Sequence, residues 1–265
     1  MREDKEFYVG YFDEMGPNTK RNIKGFIVLV VLIVVFCAMV FGLSQRPFAN
    51  STFEFGSDTE ITGIYHEMPY PMLRVEVAEN EYKNIVLLGF GKSSINPFLK
   101  KIRRKGTRLT GKILTIKGNL IYYNGKTLIQ LTDEENVSIK NQLFVSELPI
   151  KDEMGRVSFM GEIVDPKCYF GVMKPGYGKI HRSCAVRCIS GGIPPVLATK
   201  DNEGNDRYVL LTDSSGNPIN EAILNYIGKP AKVTGHLERM EDWDFLRLNT
   251  GDIEVLDQES GIYVQ

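Results

Sequence analysis

Histidine is scarce in this 265-residue chain, occurring three times, and cysteine (four) and tryptophan (one) are as rare. So few soft donors leave little room for more than one metal or thiol centre. An excess of either charge is also missing: 32 Lys and Arg stand against 33 Asp and Glu, a formal net charge of -1. That balance lacks the basic domain on which nucleic-acid binding depends, so no nucleic-acid partner is expected. No Ser/His/Asp arrangement and no assignable pair of carboxylates is present, which ranks a hydrolase or transferase behind a binding role. The "GFGKSS" stretch at 89–94 lacks the upstream spacing of a phosphate loop. The chain is 43% hydrophobic and 25% charged, a globular composition with room for one large or two small domains.

Long apolar runs are missing too, with one exception. Gly25 to Ser44, "GFIVLVVLIVVFCAMVFGLS", carries no charge, and at 1.5 Å per residue it matches the roughly 30 Å hydrocarbon core of a bilayer. It is longer than the apolar core of a cleaved signal peptide, and the "SQRPFANST" that follows offers no small-residue cleavage site. The expectation is a retained single-pass anchor at 23–45 that meets the lipid bilayer through residues 25–44. Lys20, Arg21 and Lys24 flank its N-terminal end, whereas Arg46 is alone beyond the other until Arg74. The positive-inside bias then predicts a cytoplasmic tail (1–22) in a cell membrane, with everything after a linker (46–57) extracytoplasmic, or periplasmic in a bacterium. Disulfides are permitted there. Phe7, Tyr8, Tyr11 and Phe12 lie at helix-like spacing in the tail, either as a docking peptide for a membrane partner or as an interfacial aromatic belt.

Beyond the anchor the chain repeats itself. "INPFLKKIRRKGTRLTGKIL" from Ile95 aligns without a gap with "INEAILNYIGKPAKVTGHLE" from Ile219, at an offset of 124. Ile95, Leu99 and Ile102 match Ile219, Ile223 and Tyr226, a spacing that gives a short helix one buried face. Strand-like runs, "NIVLLGF" and "RYVLLTD", precede the two helices, and each copy opens with a Gly-led strand that stops at proline. The order strand, strand, strand, helix, strand, strand occurs twice and resembles the OB-fold, a five-stranded barrel with its helix between the third and fourth strands. The resemblance implies a mainly β protein: one transmembrane helix, then two OB-like barrels, each with one short helix, at 58–148 and 149–257, and a tail at 258–265.

The copies differ in one place. From Gly63 to Leu87 is 24 positions, and from Gly161 to Leu210 is 49. The difference is an insertion at 166–195 that contains three of the four cysteines. If "HRSCAVRCIS" is a helix stopped by Gly191-Gly192, His181, Cys184 and Cys188 fall within about 60° of one face, and Cys168 supplies a fourth corner. Three thiolates and one imidazole suit tetrahedral zinc or thiolate-bound copper. A disulfide from Cys168 to Cys184 or Cys188 is the alternative, leaving a spare thiol; activation of Cys184 by His181 as a nucleophile is a third reading. The Cys-x3-Cys spacing of Cys184 and Cys188 resembles the copper loops of cytochrome oxidase subunit two and its assembly chaperones, but "ISGGIPP" stands where those loops carry His and Met. A haem role finds no attachment pattern, neither His-x3-Tyr nor Cys-x2-Cys-His. Met173, and His66 with Met68, are further soft side chains outside this set. The basic run between Lys100 and Arg108 reads as a solvated helix face or as a contact with lipid headgroups or an acidic partner. The resulting expectation is an accessory protein whose insertion holds metal or redox-active thiols for a larger membrane redox or transport complex. The alternative is a non-catalytic scaffold stapled by a disulfide.

Overall fold

The computed structural model describes residues 16–44, 52–103, 108–144 and 151–256. The aromatic residues of the N-terminal tail, Arg104 and Lys105 of the basic run, and the tail at 258–265 lie outside these. The chain divides into two units, 1–49 and 50–265. The first contains α1 (Pro17–Ser44), 28 residues with none buried, or about 42 Å of helix. It is long and apolar enough to cross a membrane.

The second unit is mainly β. Its elements in chain order are β1 (Thr52–Phe53), β2 (Thr59–His66), β3 (Met72–Ala78), β4 (Glu81–Leu88), α2 (Asn96–Arg103), β5 (Lys112–Tyr123), β6 (Lys126–Gln130), β7 (Val137–Phe144), β8 (Lys151–Val164), α3 (Gly178–Ser190), β9 (Val196–Lys200), β10 (Asp206–Asp213), β11 (Pro230–Met240), β12 (Trp243–Leu248) and β13 (Ile253–Val255). In the first sheet β2, β3 and β4 pair antiparallel in sequence, β4 pairs parallel with β6, and β6 and β2 both pair antiparallel with β5. The five strands close into a barrel, with α2 between the third and fourth strands, as the sequence order predicts. β1 and β7 extend β5.

In the second sheet the antiparallel pairs are β8–β9, β9–β10, β11–β12, β8–β11 and β11–β13, and β10 pairs parallel with β12. The helix expected at 219–226 differs: Asn220–Tyr226 is a tighter 3-10 segment. Its lead-in, Ile219, makes no capping side-chain hydrogen bond, and the Asn220 amide is engaged by the carbonyls of Ile189 and Ile193. The buried face is kept all the same, with Ile219 and Ile223 buried and Tyr226 half-buried.

Small contacts recur 124 residues apart. Leu88 bridges Ser94, and Thr212 bridges Pro218. Leu87 N donates to Pro71 O at 3.0 Å, and Leu211 N to Pro195 O at 3.1 Å. Ahead of the insertion the offset is 98: a Cβ on Gly63 would strike the Arg74 carbonyl, and one on Gly161 the Ala198 carbonyl. Both glycines are needed for close strand approach.

Continuous apolar runs such as "NIVLL" and "RYVLL" are what a strand buried on both faces requires. Ile85 and Leu87 point into a core with Leu99, Leu114 and Ile129, and Val209 and Leu211 into another with Ile223, Val233 and Leu246. Their alternates, Val86 and Leu88 from β4 and Tyr208 and Leu210 from β10, meet in a third core with Phe170, Cys188 and Trp243. The two sheets therefore share a buried layer. Polar links cross it: Trp243 Nε1 donates to Asn84 O at 2.8 Å, Tyr70 Oη to Leu211 O at 2.6 Å, and Asn84 Nδ2 to Met240 O at 3.1 Å.

Candidate metal centre

The insertion leaves β8 at Asp165-Pro166, where proline cannot extend the ladder. The chain turns helically there. Tyr169 N donates to Asp165 O at 2.9 Å, and Met173 N to Cys168 O at 3.2 Å, so Cys168–Val172 forms one wide turn. A helical turn puts residues three apart on one face, which aligns Asp165 with Cys168. The next segment, α3, ends where the sequence predicts: Ile193 N donates to Cys188 O at 3.1 Å and Gly192 N to Ile189 O at 2.9 Å. This termination needs one left-handed residue, and Gly192, with φ of +92°, supplies it.

Three anchors fix α3. At its start Gly178 N donates to Glu162 Oε1 at 2.5 Å, a carboxylate at the positive end of the helix. At its end Asn220 Nδ2 donates to the carbonyls of Ile189 and Ile193, both at 2.8 Å. The third anchor is the "GFGKSS" loop of the first sheet. Ser94 N donates to Gly191 O at 2.9 Å, and Lys167 Nζ donates to Gly89 O at 3.1 Å and Gly91 O at 2.6 Å. That stretch, which carries no phosphate loop, is the seat of the insertion. A Cβ on Gly191 would overlap the Lys92 carbonyl. Gly191→Ala should therefore destabilise the fold by about 1–3 kcal/mol and speed limited proteolysis within 166–195; unchanged proteolysis would contradict this seating.

Cys168, Cys184 and Cys188 converge with all sulfurs within 4.8 Å of one another, and Asp165, Cys168 and His181 form a second triad within the same distance. Cys168 belongs to both. The four residues expected from the sequence are thus gathered around Cys168, with His181 grouped beside Asp165 and Cys168, not with the other two thiols. Asp165, Cys168, His181 and Cys188 are buried and Cys184 is half-buried. All four cysteines of the chain are free thiols, so the stapling disulfide of the alternative reading is not formed. His66 belongs to neither triad, and Met68 and Met173 are exposed. In the basic run Arg103 turns back onto Glu67 at 2.8 Å and the Tyr65 hydroxyl at 3.0 Å. No family model matches this chain, and no curated protein matches it.

The electrostatics are those of a buried cluster. A hydrogen bond with Cys188, then burial and the negative charge of Asp165, push the Cys168 thiol far up. Burial pulls His181 down, opposed by Asp165, which favours the neutral imidazole a metal ligand must be. Burial also lowers the Lys167 ammonium, against the pull of Asp165, Cys188 and Cys168. Asp165 Oδ1 accepts from Lys167 N at 2.9 Å, while Asp165 Oδ2 and His181 Nε2 have no hydrogen-bond partner. Two such orphaned atoms in one buried cluster are unusual, since each costs about 1–3 kcal/mol. Three thiols, an imidazole and a carboxyl in that arrangement could hold a metal ion. Sequence reasoning missed Asp165. The available signal was its place three residues before Cys168 in "DPKC", the spacing of one helical turn.

Proposed function

We propose that this chain is a membrane-anchored protein whose inserted segment holds zinc or copper through Cys168, His181, Cys184 and Cys188, with Asp165 as a further donor. The observation that carries this reading is the convergence of three thiols on a buried cluster containing two polar atoms without a hydrogen-bond partner, Asp165 Oδ2 and His181 Nε2. A cation would engage both atoms at once, with His181 in the tautomer that leaves Nε2 unprotonated; thiolate, imidazole and carboxylate all ligate zinc, while thiolates favour copper(I). Bound metal would supply a cross-link between the end of β8 and α3 and, if it is copper, a redox-active centre. The residues of the chain do the rest: Glu162 and Asn220 orient α3, Lys167 sets positive charge beside the thiols, and Phe170 and Trp243 keep the pocket apolar.

In this reading α1 is a single membrane span with its basic flank cytoplasmic, and residues 46–265 are extracytoplasmic, serving a larger membrane redox or transport complex. The second sheet is a duplicate of the first barrel, supported by the contacts that recur at an offset of 124, and the metal-binding segment is grown into the second copy. Zinc or copper(I) added to the detergent-solubilised full chain should survive desalting, and thiol titration in denaturant should find all four cysteines reduced. Loss of both ions on desalting, with two thiols missing, would overturn the proposal in favour of a stapled scaffold.

A further inference from the structure

The donor geometry points to more than one ion. Resting on the metal-binding reading above, we infer that the cluster is a two-position site bridged by Cys168: an all-thiol position (Cys168, Cys184, Cys188) for soft monovalent copper, and a mixed position (Asp165, Cys168, His181) for a borderline divalent ion such as zinc. Tetrahedral zinc accepts four ligands, whereas five donors are present, so a single ion leaves one of them without metal. The donors are also divided by chemistry. The first triad is sulfur only, which selects copper(I), and the second offers one oxygen, one sulfur and one nitrogen, which suits a divalent ion.

The burial of the two triads differs in the same sense. Every member of the mixed triad is buried, and both orphaned atoms, Asp165 Oδ2 and His181 Nε2, belong to it. The all-thiol triad contains the one half-buried donor, Cys184. The soft position is therefore the one that exchanges with solvent, and the mixed position holds its ion as part of the structure. This assigns the site a division of labour, a retained divalent ion beside an exchangeable copper(I).

The test uses the full chain in detergent, with copper(I) buffered by a competing chromophoric chelator and cobalt(II) standing in for zinc through its absorption bands. Both ions should bind together, one of each per chain. Cys184→Ser should weaken copper(I) by at least about 100-fold and leave the cobalt spectrum in place. His181→Gln should weaken cobalt by at least about 100-fold and leave copper(I) affinity within about threefold. Asp165→Asn provides the second arm if His181→Gln fails to fold. One-for-one displacement of cobalt by copper(I), or equal loss of both ions in both variants, would overturn the two-position site while leaving a metal centre. Binding of one ion but not the other would overturn the two-position site alone, and binding of neither would overturn both readings.

Discussion

Trp243→Ala should lower the stability of the β unit by about 3–5 kcal/mol, the cost of deleting a large, wholly buried aromatic side chain. Trp243 is 0% exposed and stands in the layer shared by the two sheets, against Phe170. Truncation also removes the donor to Asn84 O, leaving a buried carbonyl unsatisfied. Because β4 and β10 each bury one face in that layer, both sheets should lose stability together. Urea unfolding of the detergent-solubilised chain, followed by circular dichroism, should show one transition moved to lower denaturant. A loss under about 1 kcal/mol, or a new transition for one sheet alone, would show that the shared layer does not couple them.

Cys168→Ala should have the largest effect on the centre. It is the one residue common to both triads, so its removal should weaken retention of zinc and of copper(I) alike, each by at least about 100-fold. Alanine suits the test better than serine, since Cys168 is 4% exposed and alanine leaves no donor atom behind, whereas a serine hydroxyl would. Competition titrations of the two ions, with circular dichroism as the control for folding, decide the outcome. Unchanged affinity for either ion would remove Cys168 from the corresponding position.

The local signals in the chain were strong where they concerned a single element. The uncharged run from Gly25 to Ser44 reports a membrane-length helix because every side chain in it is apolar or small. The runs around Val86 and Leu210 report strands buried on both faces. Gly191-Gly192 marks the end of α3 because only glycine takes the left-handed turn cheaply. The grouping of Cys168 with Cys184 and Cys188 was legible as well, since two of the three lie one turn apart on α3.

Other features depended on partners far away in sequence. Helical spacing at 219–226 was compatible with an α-helix, whereas the segment is 3-10 and its Asn220 amide binds the carbonyls of Ile189 and Ile193, a contact that local pattern cannot encode. The shared layer between the sheets and the seating of the insertion on the loop at 89–94 arise from residues more than 75 positions apart, as in the bond from Lys167 to Gly91 with a separation of 76. Asp165 illustrates the same division. By sequence alone it determined only a strand ending at a proline. Tertiary structure made it part of the centre, because burying the turn from Asp165 to Cys168 against α3 places its carboxyl beside His181 and leaves one oxygen with nothing to bind.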